Sequence, residues 1–263
     1  PANAGAAHLG PYRAIIAKGE RTLATVDVPQ HWWFSRWRWY SKPRPVSHSA
    51  SDLIKARLIP AYSSAVGVRA KTPRLSNAVY SVPMDNAGVT MVEAGTGDRY
   101  DIGPVTEAQG YYLARQDDVG LSALMAQAEA SGSVPFHFRD ETTGAPVSFL
   151  KHPVVSWYYL KQGKDWVRSS NTIRRIDGKT VCPWVFDAGH YPALSYIPYL
   201  LTDDPYFLEE LQFEATEVLG WTAWDRSVHR KLIVSPGQTR TFAWSLRSIF
   251  QSARVSPENG PSW

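Results

Sequence analysis

The sequence predicts a mixed, mainly α protein in which an N-terminal β region precedes helical hairpins with a long inserted loop region. Three observations carry this prediction. Residues 12–40 alternate apolar and polar positions around a turn at Gly19-Glu20, the period-2 signature of strands. From Asp101 onward apolar positions recur at helical spacing. Two of the helical stretches also share one pattern, Asp101-Ile102-Gly103-Pro104 leading to Tyr112-Leu113 and Asp117-Asp118, and Asp187-Ala188-Gly189-His190-Tyr191-Pro192 leading to Tyr199-Leu200 and Asp203-Asp204. Their offset of about 86 residues suits helix pairs with inserted loops. A third variation opens at Gly237-Gln238-Thr239-Arg240. The expected division is a β-rich region with a short helix over 1–100 and a helical-hairpin region over 101–263.

The predicted strands are Ala14 to Ala17, Thr22 to Val28 and Trp32 to Tyr40, ended by the closely spaced Pro43 and Pro45, which cannot donate ladder hydrogen bonds. Ser51 to Leu58 reads as a short helix with serine or aspartate available as a cap, and Val79 to Val82 and Val89 to Ala94 read as strands. Helices follow at Val105 to Arg115, Val119 to Ala130, Ala188 to Leu201, Pro205 to Leu219 and Thr239 to Ala253. Pro205 suits a first helical position, with Asp204 accepting from the exposed amides. Glu209 and Glu210 fall in that helix's opening turns, where the dipole favours negative charge. The connection from Gly132 to Phe186 is longer than packing requires, and such insertions are usually functional or partly strand-forming.

Composition bounds the function classes. Of 263 residues, 44% are hydrophobic and 20% charged, which argues for a packed globular chain. The 11 Trp, 13 Tyr and 9 Phe suit a large core or a surface that stacks on sugar rings. A net charge of +4 and a pI near 9.1 lean towards anionic partners. The one cysteine, Cys182, excludes an internal disulfide and a cysteine-based zinc cluster. No apolar run approaches the roughly 20 residues of a membrane span, and no secretion signal opens the chain, which reads as an excised or incomplete segment. Phosphate-binding loop, dinucleotide fingerprint and serine-nucleophile elbow motifs are all missing from the sequence, so no cofactor is expected.

In the run from Trp32 to Tyr40, strand alternation sets Trp33, Trp37 and Trp39 against Phe34, Arg36, Arg38 and Tyr40. One face is expected in the core. The other is expected to be a basic aromatic surface, able in principle to stack on sugars or single-stranded nucleic acid. No nucleic-acid motif accompanies the run, so core packing of the run against the helices is the favoured expectation and no nucleic-acid partner is expected.

Asp187 to Leu201, Phe136-His137-Phe138-Arg139-Asp140 and residues 237–246 resemble the helical-toroid proteins of the six-hairpin glycosidase-like group, which includes uncharacterised bacterial members. The resemblance covers about residues 101–256. It implies a partial (α/α) toroid beside the β region, a polysaccharide or oligosaccharide ligand and a periplasmic or extracellular location. Only about two and a half hairpins fit in this chain, so pairing with another copy or with further chain is expected to cover open helix faces.

In such a toroid, ligands gather where inner helices begin, since each start offers unpaired amides and a positive dipole end. That places Asp101, Asp187, His190 and Arg240 at one rim, with His137, Arg139 and Asp140 added by the insertion. A lyase acting on uronic acid polymers needs a base, a carboxylate clamp and an acid for the leaving oxygen. His190 can serve as base, Tyr191 or Tyr196 as acid, and Arg139 or Arg240 as clamp. A glycoside hydrolase instead needs two carboxyl groups, with Asp101, Glu107, Asp140 and Asp187 as candidates. The Asp187/His190 and His137/Asp140 spacings could ligate a metal, but neither matches a metalloprotease motif, and no metal is expected. The competing expectation is a noncatalytic carbohydrate-binding or assembly module of a phage or cell-surface protein, in which these groups cap helices and form ordinary ion pairs.

Overall fold

Alternation and turn chemistry act as expected at the N-terminus. In the computed structural model, which describes residues 8–62, 73–92, 99–152, 159–162, 165–168, 182–221 and 238–258, β1 (His8–Leu9) pairs with β4 (His31–Trp32). Between them β2 (Tyr12–Lys18) and β3 (Arg21–Val28) form an antiparallel hairpin. Gly19 turns this hairpin at φ +61°, a conformation open to glycine without a side-chain clash. A register shift at Ile16/Ala17 marks a bulge beside the turn.

Residues 33–40 do not continue as a strand. Phe34 adopts φ +61°, and the chain becomes an extended strap laid across the helices. Arg36 N donates to Gly132 O at 2.7 Å, and His137 N to Phe34 O at 2.9 Å. Gly132 allows this approach, since a Cβ there would lie 2.5 Å from Arg36 O and 2.3 Å from the Tyr206 hydroxyl.

Helix α1 (Ala50–Lys55) is closed by a capping box between Ser49 and Asp52. Helix α2 (Pro73–Asn77) follows. The strands expected at Val79 to Val82 and Val89 to Ala94 do not form over the described residues. Asp85 and Asn86 fold the stretch into turns by accepting from Ser81, Ala87 and Gly88 amides, leaving a single parallel bridge between Val92 and Val185. Residues 93 and 94 lie outside the described residues.

Two helix pairs repeat. Helix α3 (Glu107–Arg115) ends at Gln116 with φ 52°, its amide bonded to Tyr112 O, and Asp117 then caps α4 (Asp118–Ala130) by accepting from Gly120 N. The insertion contributes a hairpin of β5 (Tyr159–Gln162) and β6 (Asp165–Arg168). Helix α5 (Tyr196–Thr202) ends at Asp203 with φ 51°, its amide bonded to Tyr199 O. Asp204 then opens α6 (Pro205–Trp221) by accepting from Tyr206 N at 3.0 Å. The tyrosine, left-handed residue and capping aspartate therefore match between the pairs, with Gln116 answering to Asp203 and Asp117 to Asp204, one residue from the Asp117-Asp118/Asp203-Asp204 pairing of the sequence repeat. Gln109 joins the pairs, since its side-chain amide donates to Ala193 O at 2.7 Å.

The helix expected over Ala188 to Leu201 starts only at Tyr196. Asp187 Oδ1 accepts from Gly189 N at 2.7 Å, folding residues 187–190 into a turn, and Pro192 brings no N–H to a helical ladder. Helix α7 (Thr239–Val255) packs on α6, and the rest of the expected third opening, at Gly237, lies outside the described residues. Among the described residues there are seven α-helices, so the molecule is mixed and mainly helical with an N-terminal two-stranded hairpin.

The core has two parts. One gathers Leu53, Tyr112, Leu124, Leu201 and Leu211 from α1 and the two helix pairs; the other gathers Phe136, Trp184, Tyr191, Leu194, Phe213 and Val218. Helix α6 serves both, and Leu211, Phe213 and Val218 are fully covered.

Candidate functional site

Chemistry-bearing side chains collect in two places. The first lies under the strap. Extended backbone sends Arg36 and Arg38 the same way, and that way is inward, so the basic aromatic face packs against the helices as an ionic layer rather than lying open as a stacking surface. Arg36 pairs with Glu209 and Glu210 of α6. Arg38 Nε donates to Glu129 Oε2 of α4 at 3.0 Å, and its NH1 to Asp204 Oδ2 at 2.6 Å. Both guanidiniums cover the Tyr206 ring, at 4.5 Å and 4.1 Å from its centroid.

His137 belongs to this layer. Its Nε2 sits 2.9 Å from Glu210 Oε2 and its Nδ1 2.8 Å from Phe34 O, while Ser131 Oγ donates to the same Glu210 oxygen at 3.0 Å. Burial pushes the Glu210 carboxyl up, but His137 and Arg36 outweigh it and hold the group at about 2. Arg139 donates to Glu209 Oε1 and to Gly144 O, both at 2.7 Å. Asp140 folds its own turn, accepting from the Thr142 and Thr143 amides, and those bonds draw its carboxyl below the usual range. These three residues are thus occupied in holding the strap, α6 and the 139–146 turn.

The second place lies where the 187–190 turn meets the start of α7. Arg240 NH1 is 2.6 Å from His190 Nε2, and Asp187 Oδ2 is 3.2 Å from His190 Nδ1, at an angle too poor for a hydrogen bond. An arginine is always a donor, so Nε2 offers its lone pair and Nδ1 carries the proton, facing Asp187. Asp187 and His190 side chains are 23% and 10% exposed. Gly189 makes this meeting possible, since a Cβ there would lie 2.8 Å from Thr241 Oγ1 and 3.0 Å from Gln238 Oε1.

Arg99 ties Asp101 to the same region by donating to Asp101 Oδ1 and to His190 O, each at 2.9 Å. Asp101 is fully buried and also accepts from Thr90 N at 2.9 Å. It does not cap α3; Thr106 does, through a capping box with Gln109. Arg247 of α7 donates to Gly103 O and, at 2.7 Å, to Tyr191 O, pinning α7 to the segments that precede both helix pairs.

The remaining predicted residues lie apart from that meeting point. Tyr191 is fully buried against Phe136 and Phe186, with ring centroids 5.8 Å and 4.9 Å away. Tyr196 donates its hydroxyl to Leu58 O at 2.8 Å, beside an open groove of about 470 Å³ that also touches Arg57, Phe250 and Arg254. Glu107 occupies the first turn of α3. Among the described residues, no group of three His, Cys, Asp or Glu side chains is placed to hold a metal ion.

Sequence reasoning named Arg36 and Arg38 without their acidic partners and missed Arg99, Glu129, Glu214 and Glu217. Glu210, Glu214 and Glu217 recur at one-turn spacing within an apolar helix, a signal that was available. Glu214 and Glu217 are both fully buried. Glu214 accepts from Ser195 Oγ at 2.6 Å.

Comparisons of the chain with family models, curated proteins and solved structures gave no match.

Proposed function

We propose that this chain is a carbohydrate-active protein, an N-terminal β region followed by a partial toroid of helix pairs, that acts on an anionic polysaccharide by β-elimination. The contact that carries the reading is Arg240 against His190 at 2.6 Å, with Asp187 behind the ring. It joins a cation suited to a carboxylate with an imidazole whose Nε2 lone pair can serve as a base once the guanidinium turns to the substrate. The two matching helix pairs support the toroid.

In this reading Arg240 binds the uronate carboxylate. His190 Nε2 removes the proton from the adjacent carbon, the released electron pair forms a carbon–carbon double bond, and the bond to the glycosidic oxygen breaks. That oxygen takes a proton from water, since Tyr191 is buried and the Tyr196 hydroxyl is committed to Leu58. Asp187 lies 3.2 Å from the proton-bearing Nδ1, where its charge favours the imidazolium that forms.

Elimination is preferred to hydrolysis because of what the candidate carboxylates do. Asp101 is enclosed by Arg99 and Thr90, and Asp140 is engaged by its own turn, so neither is free to face Asp187 across a scissile bond. The noncatalytic reading draws on a different observation: His137, Arg139 and Asp140 serve the ionic layer and its turn, apart from His190.

Incubation with a panel of uronate and neutral polysaccharides separates these readings. Elimination predicts ultraviolet-absorbing unsaturated products from uronates alone. New reducing ends without unsaturation would assign hydrolysis, and binding without either product would assign a noncatalytic module.

A further inference from the structure

We infer that the base of this site is masked at rest by its own carboxylate clamp, and that a carboxylate-bearing sugar unmasks it. The inference rests on the proposed role of His190 and adds how the site selects its substrate. Arg240 donates into the lone pair that would accept the substrate proton, so Nε2 cannot act as a base while that contact stands. With the contact made, only a tenth of the His190 side chain is exposed.

Among the described residues, little holds Arg240 where it is. Its one hydrogen-bond partner among the described residues is a neutral ring nitrogen, whereas bidentate pairing with a carboxylate is stronger. It also lies in the first turn of α7, where the helix dipole disfavours a cation, and the N-cap Gln238 makes no side-chain capping bond there. Arg240 is itself half-buried. A carboxylate that reaches Arg240 therefore competes for the guanidinium and frees Nε2 in the same event. A neutral sugar of the same shape has nothing to offer Arg240 and leaves the base covered. Selection then acts on the availability of the base as well as on binding.

The test follows the imidazole nitrogens of His190 by nuclear magnetic resonance in the full chain labelled with ¹⁵N-histidine, assigned by the signal lost in His190→Gln. A short oligouronate is expected to move the His190 signals to the positions seen in ligand-free Arg240→Ala, and its carboxyl-reduced neutral counterpart is expected to leave them in place. Arg240→Lys, which keeps the charge but cannot make the forked contact, should respond only partly. Equal movement with the neutral sugar, or Arg240→Ala signals identical to those of the parent chain, would overturn the inference. Failure of the underlying reading looks different: movement of His190 without any unsaturated product removes elimination and leaves the masking intact. Product formed while the His190 signals stay fixed removes the masking and leaves elimination.

Discussion

Arg36, Arg38 and Glu210 show how individual residues here trade exposure for connection. Glu210 is fully buried and is acceptable only because Arg36, His137 and Ser131 surround it; removing one partner of such a group usually costs about 3–5 kcal/mol. Glu210→Gln is expected to destabilise the fold by roughly 3 kcal/mol at neutral pH, measured by urea denaturation. Its carboxyl is held at about 2, below the ordinary 4.5, so its contribution is complete above pH 4.5 and is lost as the pH falls towards 2. The parent chain should therefore lose stability on acidification more steeply than the glutamine variant, and parallel curves would contradict that. Residue types told part of this story in advance. Asp187, His190 and Arg240 are legible as a group because each opens a repeated motif, whereas the strap shows its packing against the helices but not the acids its arginines meet there. An extended alternation fixes which residues share a face but not which face meets the core, and here the acids of α6 and α4 decide that.

At the scale of elements, both helix pairs turn in two residues, a left-handed residue and a capping aspartate. The close packing this permits is visible at Gly120, where a Cβ would lie 2.8 Å from the Tyr111 ring and 3.0 Å from Tyr112 Cα. The second contact is backbone and cannot move aside. Gly120→Ala should therefore cost about 1–3 kcal/mol by forcing α3 and α4 apart, although alanine is the better helix former by roughly 1 kcal/mol; an unchanged or raised melting temperature would contradict the packing. These pairs were legible because capping chemistry is local. The start of α5 was not, since Asp187 can cap a turn as readily as a helix, and Pro192 decides between them only through its missing donor.

Across the whole molecule, α6 is the common support, joining the strap at its first half and α7 along its length. It carries Glu214 into full burial, and burial lifts that carboxyl to about 8, with Ser195 and Arg247 opposing the shift. Because the folded chain holds this proton more tightly than the unfolded one, the contribution is present below the ordinary 4.5 and is lost as the pH rises towards 8. Stability should decline between about pH 5 and 8, and Glu214→Gln should flatten that decline; a variant that keeps the parent slope would assign the effect elsewhere. The one-turn spacing of Glu210, Glu214 and Glu217 marks one stripe of α6, but the enclosure of Glu214 by α7 and the segment entering α5 is a tertiary fact. The same enclosure brings Arg240 to His190, and the most direct trial of the account is the initial rate of unsaturated product from an oligouronate, compared between the parent chain and His190→Gln. Loss of about 10²–10⁴-fold in the variant is the expected result, and equal rates, or no product from the parent chain on any uronate, would contradict it.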